Sequence, residues 1–332
     1  MTGVPTDRSV RSLLKQGIAR LRDANVPSFT LAAELLLLHV TGRDRTWLYA
    51  HPEEILSPEN AAQYFALIQR RAGGEPTQHL TGKQEFWGLE FEVTPDVLIP
   101  RPETEHLIEV ALDRLALREL RAGRPPRLTG NGITLVDVGT GSGCIAIALA
   151  KELLKATIYA TDVSAAALTV ARRNASRLGF ADRICFLESN LLNAFQFSPV
   201  RAMHTAPQLG ANSPASIPSI EARATEHGPL SFDLIVSNPP YIGRREAAPL
   251  PIEVRNHEPE VALYGGKEGY EFYAELVAQS YEFLKPGGLL VLELGYNSLP
   301  SVQPLLDPSH WTDVAVTNDL AGIPRVIAAG RL

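Results

Sequence analysis

The chain has 332 residues, 45% of them hydrophobic and 20% charged, with a formal net charge of −6. That length suits about two domains, each able to bury its own core, and that charge argues against the strongly basic domain of a broad nucleic-acid binder while leaving room for a local basic patch. No apolar run approaches a membrane span and the N-terminus lacks the apolar core of a secretory signal. A cytoplasmic location is therefore expected; Arg8, Arg11, Lys15 and Arg20, with few acids among them, leave an organelle transit peptide as the alternative.

Val10, Leu13, Leu14, Ile18 and Leu21 recur at helical spacing, and Leu31 to Val40 and Pro58 to Arg71 continue the pattern with no strand signal between them. Residues 1–74 are thus expected to form a helical bundle, and nothing in it reads as catalytic. His39 and His51 read as core and surface residues. Residues 75–101 change character: Glu85 to Val93 alternates around Gly88 and predicts a β-hairpin linker. Next comes Leu98-Ile99-Pro100-Arg101-Pro102-Glu103-Thr104-Glu105. Pro102 can open a helix whose first-turn acids suit its dipole, so a helix is predicted from Pro102 to about Leu120. Arg101, just ahead of it, reads either as a surface cap or as a contact to cofactor or substrate.

Residues 102–332 form the expected second domain. After a linker from Arg121 to Gly132, buried strands are predicted over Ile133–Val138, Thr157–Ala160, Ile184–Leu187, Phe232–Ser237 and Leu289–Leu292, with helical segments between the earlier ones. Such alternation implies βαβ units and a mostly parallel sheet covered by helices on both faces. Residues 192–230 do not share that texture. Five prolines stand there among Ala, Ser, Gln and Asn without periodicity, so a poorly ordered insertion carrying no chemistry is expected. Cys144 and Cys185 lie in apolar runs without His or Cys at ligand spacing, which predicts buried thiols, no disulfide and no metal.

Two stretches carry chemistry. The strand ending at Ser237 runs into Asn238-Pro239-Pro240-Tyr241, where proline at 239 pushes Asn238 out of the α region and the two rings stiffen a loop of acceptors. The Asn238 amide and the neighbouring backbone carbonyls can take both hydrogens of a planar –NH2 group, and the Tyr241 ring offers a face to a flat substrate. The bland alternative is a strand closed by a Pro-Pro turn. The other stretch is Asp137-Val138-Gly139-Thr140-Gly141-Ser142-Gly143 between the first strand and the next helix. A dinucleotide fingerprint would need glycine at position 144, where Cys144 stands. About twenty residues on, Asp162 could accept hydrogen bonds from both hydroxyls of a ribose or act as an N-cap for the helix that begins at Ser164.

The run Asp137-x-Gly139-x-Gly141-x-Gly143 resembles the first motif of class I S-adenosylmethionine-dependent methyltransferases, which implies that fold, Rossmann-like with a mostly parallel sheet, behind the N-terminal helical bundle. More closely, the chain resembles the peptide chain release factor glutamine N5-methyltransferases, the HemK-like enzymes. The likeness is carried by Ala33 to Val40 with Arg45-Thr46-Trp47-Leu48, by His79-Leu80-Thr81-Gly82 with Glu85-Phe86-Trp87, by Leu98 to Glu105, by Asn238 to Tyr241, and by Glu258 to Leu263 and Leu320 to Arg325. It implies methyl transfer from S-adenosylmethionine, leaving S-adenosylhomocysteine, to the glutamine side-chain nitrogen of the Gly-Gly-Gln tip of a release factor. Asp137, Gly139, Thr140, Gly141, Ser142, Gly143, Asp162, Asn190, Leu191 and Asn238 would then hold the cofactor. Asn238, Pro239, Pro240, Tyr241 and Arg101 would hold substrate, with Asn238, Pro239 and Tyr241 at the chemistry. No general base is assigned; His257 and Glu258 are the nearby alternatives. Departures are Asn190-Leu191 where the family often has Asp-Trp, Gln84 where it commonly has Arg, and the proline-rich insertion. The expected partner is a release factor, with no stable nucleic-acid or membrane binding and a monomeric state. Rival expectations are a ribosomal-protein glutamine methyltransferase, a DNA adenine or rRNA guanine amino-methyltransferase acting on a flipped base, and a non-catalytic module that keeps the fold.

Overall fold

The computed structural model describes residues 7–121, 123, 130, 132–196, 230–245 and 250–332. The chain forms two compact units: residues 1–84 with 93–95 and 249–258, and residues 85–92 with 96–248 and 259–332.

The first unit is helical. Its helices are α1 (Val10–Asp23), α2 (Phe29–Thr41), α3 (Arg45–Ala50), α4 (Pro58–Ala72) and α5 (Thr77–Thr81). The starts of α1 and α4 are set by serine caps, with Ser9 Oγ accepting from the Ser12 N–H at 3.3 Å and Ser57 Oγ from the Asn60 N–H at 3.1 Å. Val10, Leu13 and Leu21 of α1 pack with Leu36, Leu37, Tyr64 and Ile68 into one core. Gly17 allows the close approach of α1 and α4, since a side chain there would strike the Tyr64 hydroxyl. The helix Ile252–His257 joins this unit from far downstream, and Arg71 Nη2 donates to Glu253 Oε2 at 2.5 Å.

The second unit is entered within β1 (Lys83–Phe86), which pairs with the hairpin strand β2 (Leu89–Glu92), and the turn between them places Trp87 and Gly88 both in the left-handed region. A 3-10 turn, Pro102–Thr104, then leads into α6 (Glu105–Arg121), close to the predicted helix. The unit continues through β3 (Thr134–Val138), α7 (Cys144–Glu152), β4 (Thr157–Asp162), α8 (Ala165–Leu178), β5 (Ile184–Glu188), β6 (Phe232–Ser237), β7 (Ile242–Gly243), β8 (Tyr264–Gly266), the helix Glu271–Phe283, β9 (Leu284–Glu293), β10 (Trp311–Asn318) and β11 (Pro324–Arg331). The main sheet has the order β10-β11-β9-β6-β3-β4-β5. β3, β4, β5, β6 and β9 are parallel, whereas β11 runs antiparallel to both neighbours.

The central strands are buried on both faces, which is why they read as unbroken apolar runs. Leu135, Leu234 and Val236 face a core with α6 and α7. Val136, Ile235 and Leu290 face the other core, with Tyr273, Leu276 and Phe283. Leu192 and Phe195, at the start of the expected irregular segment, belong to that second core. Leu192 and Phe195 are fully buried, and the Phe195 ring meets Phe232 edge-on at 5.0 Å and Tyr159 at 5.5 Å. The rest of the expected insertion, 197–229, lies outside the described residues. β10 was not legible as an apolar run because exposed and half-buried positions fill it, and β11 was not singled out although Val326 to Gly330 are buried. No helix among the described residues is long and apolar enough to cross a membrane.

Candidate active site

Strand order reverses between β3, which leads outward to β4 and β5, and β6, which leads the other way to β9. A crevice opens beyond the carboxyl ends of strands at such a switch point. Its empty space, counting the part open to solvent, is ≈ 680 Å³.

The glycine loop forms one wall. The Gly139 and Thr140 N–H groups donate to the Thr161 carbonyl at 2.8 and 2.9 Å, and the Gly143 N–H donates to Thr140 O at 2.8 Å. Gly139 and Gly141 have φ of +73° and +54°, and a Cβ at either would meet nothing within 4 Å. Their bare backbone therefore faces open space on the cavity side, as a loop that cradles a ligand requires. Gly143 differs: its Cβ would stand 3.1 Å from Ala171 Cβ, so this glycine permits helix packing.

Asp137 sits behind the loop, fully buried. Its Oδ2 accepts from Thr140 Oγ1 at 2.6 Å and from the Ala146 N–H at 3.2 Å, tying the loop to α7. Burial pushes its carboxyl up to about 7. Asp162, by contrast, lines the cavity. Its Oδ2 accepts from the Gly141 N–H and its Oδ1 from the Ser164 N–H, each at 2.9 Å, and burial raises its pKa. The cap of α8 is Ser164, whose Oγ accepts from the Ala167 N–H at 3.1 Å. That leaves the Asp162 carboxylate held rigidly toward the cavity.

Asn190 and Leu191 close the third side; Leu191 is held at φ +51°, a position where a non-glycine residue carries local strain. Asn238 and Pro240 reach the cavity from the end of β6. Ser237 Oγ donates to the Val138 carbonyl at 2.7 Å and ties the ends of β6 and β3 together. Asn238 Nδ2 donates to Thr104 Oγ1 at 3.1 Å. Three glycines back this loop: a Cβ at Gly265 would strike the Pro240 carbonyl, one at Gly269 would stand 2.5 Å from Tyr241 O, and one at Gly295 2.5 Å from Tyr241 Cδ2. Burial, with Glu293 adding to it, raises the Tyr241 hydroxyl pKa.

The structure thus brings Gly139, Gly141, Asp162, Asn190, Leu191, Asn238 and Pro240 to one cavity. Asp137, Thr140, Ser142 and Gly143 stand behind its wall, Pro239 is buried, and Tyr241 and Arg101 are half-buried off its lining. Leu98, Ser189 and Phe272 also line it and were not singled out. Leu98 opened the Ile99-Pro100-Arg101 run already noted; Phe272 had no signal, because it faces the site only through the folding of its helix. Among the described residues no group of three or more His, Cys, Asp or Glu could hold a metal ion.

The chain matches the models of two families, "PrmC N-terminal domain" over residues 12–82 and "Methyltransferase domain" over residues 129–313. It is 39% identical to the release factor glutamine methyltransferase of Koribacter versatilis across 96% of this chain and 97% of that one. The chain belongs to the release factor glutamine methyltransferase family. Further members resemble it to a similar degree: that of Bradyrhizobium diazoefficiens is 37% identical over 98% of this chain and 96% of its own length, and that of Geobacter sulfurreducens is 36% identical over the whole of both. The fold is that of a class I methyltransferase, and the family's methyl donor is S-adenosylmethionine. The residues present are compatible with it: Gly139 and Gly141 have open space above them, the Asp162 carboxylate is fixed by two backbone N–H groups, and apolar Leu98 and Leu191 line the same cavity.

Proposed function

We propose that this protein transfers a methyl group from S-adenosylmethionine to the side-chain amide nitrogen of the glutamine in the Gly-Gly-Gln motif of peptide chain release factors. The observation that carries the reading is the stiff Asn238-Pro239-Pro240-Tyr241 loop at the end of β6, bordering the same cavity as the glycine loop and Asp162. When bound, S-adenosylmethionine supplies an electrophilic methyl carbon on a sulfonium.

The chain's own residues are assigned the work of holding the acceptor. An amide nitrogen is a poor nucleophile because its lone pair is delocalised into the carbonyl. Asn238 and the backbone carbonyl of Pro239 are read as accepting its two N–H bonds and aiming the nitrogen; such positioning can supply up to roughly 7–11 kcal/mol of a barrier. The Tyr241 ring is read as the face on which the substrate lies, and Arg101 as a further substrate contact. Gly139, Gly141, Asp162, Asn190 and Leu191 are assigned to the cofactor, with Asp137, Thr140, Ser142 and Gly143 shaping the loop that carries them. With S-adenosylmethionine held there, its sulfonium would supply the methyl group to the nitrogen aligned by Asn238 and Pro239, S-adenosylhomocysteine would leave, and the proton of the methylated amide would pass to a neighbouring carbonyl or water.

The helical unit is assigned the recognition of the release factor outside its tip. A cytoplasmic monomer completes the proposal, and the net charge of −6 supports the absence of stable nucleic-acid binding. The test incubates the purified protein and labelled S-adenosylmethionine with a release factor, a ribosomal protein or duplex DNA in separate reactions. Label on the release factor alone is expected. Label on DNA with none on the release factor contradicts the assignment of substrate.

A further inference from the structure

Behind the acceptor loop the chain makes a second turn, Gly265 to Gly269, whose backbone is pressed against it. β8 runs parallel to β7, with Ile242 opposite Tyr264 and Gly243 opposite Gly266. Beyond those pairs the Arg244 N–H donates to the Gly266 carbonyl at 3.1 Å and the Arg245 N–H to the Lys267 carbonyl at 3.0 Å. Gly269, at φ +91°, has no room for a side chain: a Cβ there would stand 2.5 Å from Tyr241 O and 2.7 Å from the Gly243 nitrogen. Backbone meets backbone here with no flexible side chain between to absorb a shift. Any displacement of the turn is therefore passed on to Pro240 and Tyr241.

Glu271, the first residue of the helix Glu271–Phe283, grips that turn. Its Oε1 accepts from the Lys267 N–H at 2.9 Å and the Glu268 N–H at 3.0 Å, and its Oε2 from the Glu268 N–H at 3.2 Å. Successive backbone N–H groups in a turn make a hollow for an anion, and the carboxylate fills it with charge-assisted hydrogen bonds. Gly266 makes the space, since a Cβ on it would strike the Glu271 carboxylate. We propose that Glu271 is a positioning residue for methyl transfer: by holding the Lys267 and Glu268 amides it sets the height of the turn and, through the turn, the place of Pro240 and Tyr241. The inference rests on the reading of Asn238 to Tyr241 as the acceptor loop and names what holds that loop from behind. Two ion pairs, Arg245 with Glu268 at 2.5 Å and Arg244 with Glu260 at 3.1 Å, also join the elements beside the turn. They link exposed side chains, where such pairs contribute little, whereas Glu271 holds the backbone itself.

The test compares variants of the full-length protein with a release factor as substrate. Glu271→Leu keeps the bulk of the side chain and loses the acceptor, and is expected to lower kcat about tenfold, a fraction of the cost of a 1 Å misplacement. Glu271→Ala repeats this arm without an exposed apolar side chain. Glu271→Gln keeps an oxygen for both amides and is expected to recover kcat to within about threefold of the wild type. Phe272, the next residue, lines the cofactor cavity, so S-adenosylhomocysteine affinity is measured by calorimetry in each variant and is expected to stay within about twofold. Wild-type kcat in Glu271→Leu and Glu271→Ala overturns the proposal, as does an equal loss in Glu271→Gln or a loss of cofactor affinity in step with kcat. A second arm needs no substrate. The Tyr241 amide resonance of the 15N-tyrosine-labelled protein, assigned by its loss in Tyr241→Phe, is expected to move in Glu271→Leu and to stay near its wild-type position in Glu271→Gln; an unmoved resonance in Glu271→Leu overturns the proposal. A wild type that leaves the release factor unmethylated while this resonance moves as expected counts against the functional reading alone.

Discussion

Gly295 follows β9 at the back of the acceptor loop, and the Tyr241 ring occupies the space a side chain would take. A Cβ on Gly295 would stand 2.5 Å from Tyr241 Cδ2, 2.8 Å from Cγ and 2.7 Å from Ser298 Oγ. Carbon atoms settle at about 3.5–4.0 Å from one another, so Gly295→Ala drives the ring back by about 1 Å. Gly295 is not among the residues with positive φ, so alanine fits its backbone and the ring takes the displacement. A misplacement of about 1 Å near the chemistry costs about a hundredfold in rate, equal to about 2.7 kcal/mol of barrier. The expected outcome is a kcat lower by that factor with S-adenosylhomocysteine affinity, measured by calorimetry, within about twofold. Affinity is spared because Gly139 and Gly141, in the loop after β3, and Asp162, at the end of β4, lie away from the displaced ring. Overpacking also costs about 1–3 kcal/mol of stability, so turnover is read at a temperature where circular dichroism shows the variant folded. If the ring carries the effect, Gly295→Ala on a Tyr241→Ala background adds little. Wild-type kcat in the single variant, or fully additive losses in the double, refutes the reasoning.

Asn238→Ala removes the acceptor aimed at the amide: most turnover is lost while cofactor affinity stays within a few-fold, and unchanged single-turnover rates contradict its role. Gly265→Ala strikes the Pro240 carbonyl and stands 2.6 Å from Gly269 O, so the acceptor loop must move; kcat falls at least as far as in Gly295→Ala, and retained turnover argues that the loop is not held from behind. Asp162→Asn weakens S-adenosylhomocysteine binding by about tenfold or more, since a charged acceptor contributes about 1.5–3 kcal/mol; calorimetry without loss of affinity removes Asp162 from the site. Glu293 gives a pH dependence of stability. Its folded-state carboxyl titrates at about 7 against an ordinary 4.5, so the folded state binds the proton more tightly, and the stability this confers is complete below the ordinary value and lost as pH rises through 7. The full effect is about 3 kcal/mol. Glu293→Gln therefore gains on the wild type in urea unfolding by about 2 kcal/mol more at about pH 8 than at about pH 5.5; a pH-independent difference contradicts the raised carboxyl.

The central strands were legible because burial on both faces leaves an unbroken apolar run, as in Phe232 to Val236. The glycine loop and Asn238-Pro239-Pro240-Tyr241 were legible because a tight turn and a stiff corner demand particular residues in sequence. What escaped was whatever depends on distant pairing. Asp137 reads as a cofactor contact from its place in a motif, yet it is fully buried and grips Thr140 and the Ala146 amide from behind. Thr104 stood in a segment already singled out, but its partner Asn238 is 134 positions away and is brought to it only by the docking of α6 beside β6. Gly265, Gly269 and Gly295 look like ordinary loop glycines until Pro240 and Tyr241 are folded onto them. Residues 192–196 were assigned to an irregular segment because the composition changes near there, while Leu192 and Phe195 still belong to the core beneath β4 and β6.

One atom decides the chemistry: the nitrogen that receives the methyl group. Tandem mass spectrometry of a release factor treated with this protein and S-adenosylmethionine locates it directly. A single methyl on the side-chain nitrogen of the glutamine in Gly-Gly-Gln, absent with Asn238→Ala, is the predicted result. A methyl on another residue, or on that glutamine with Asn238→Ala as fast as the wild type, contradicts it.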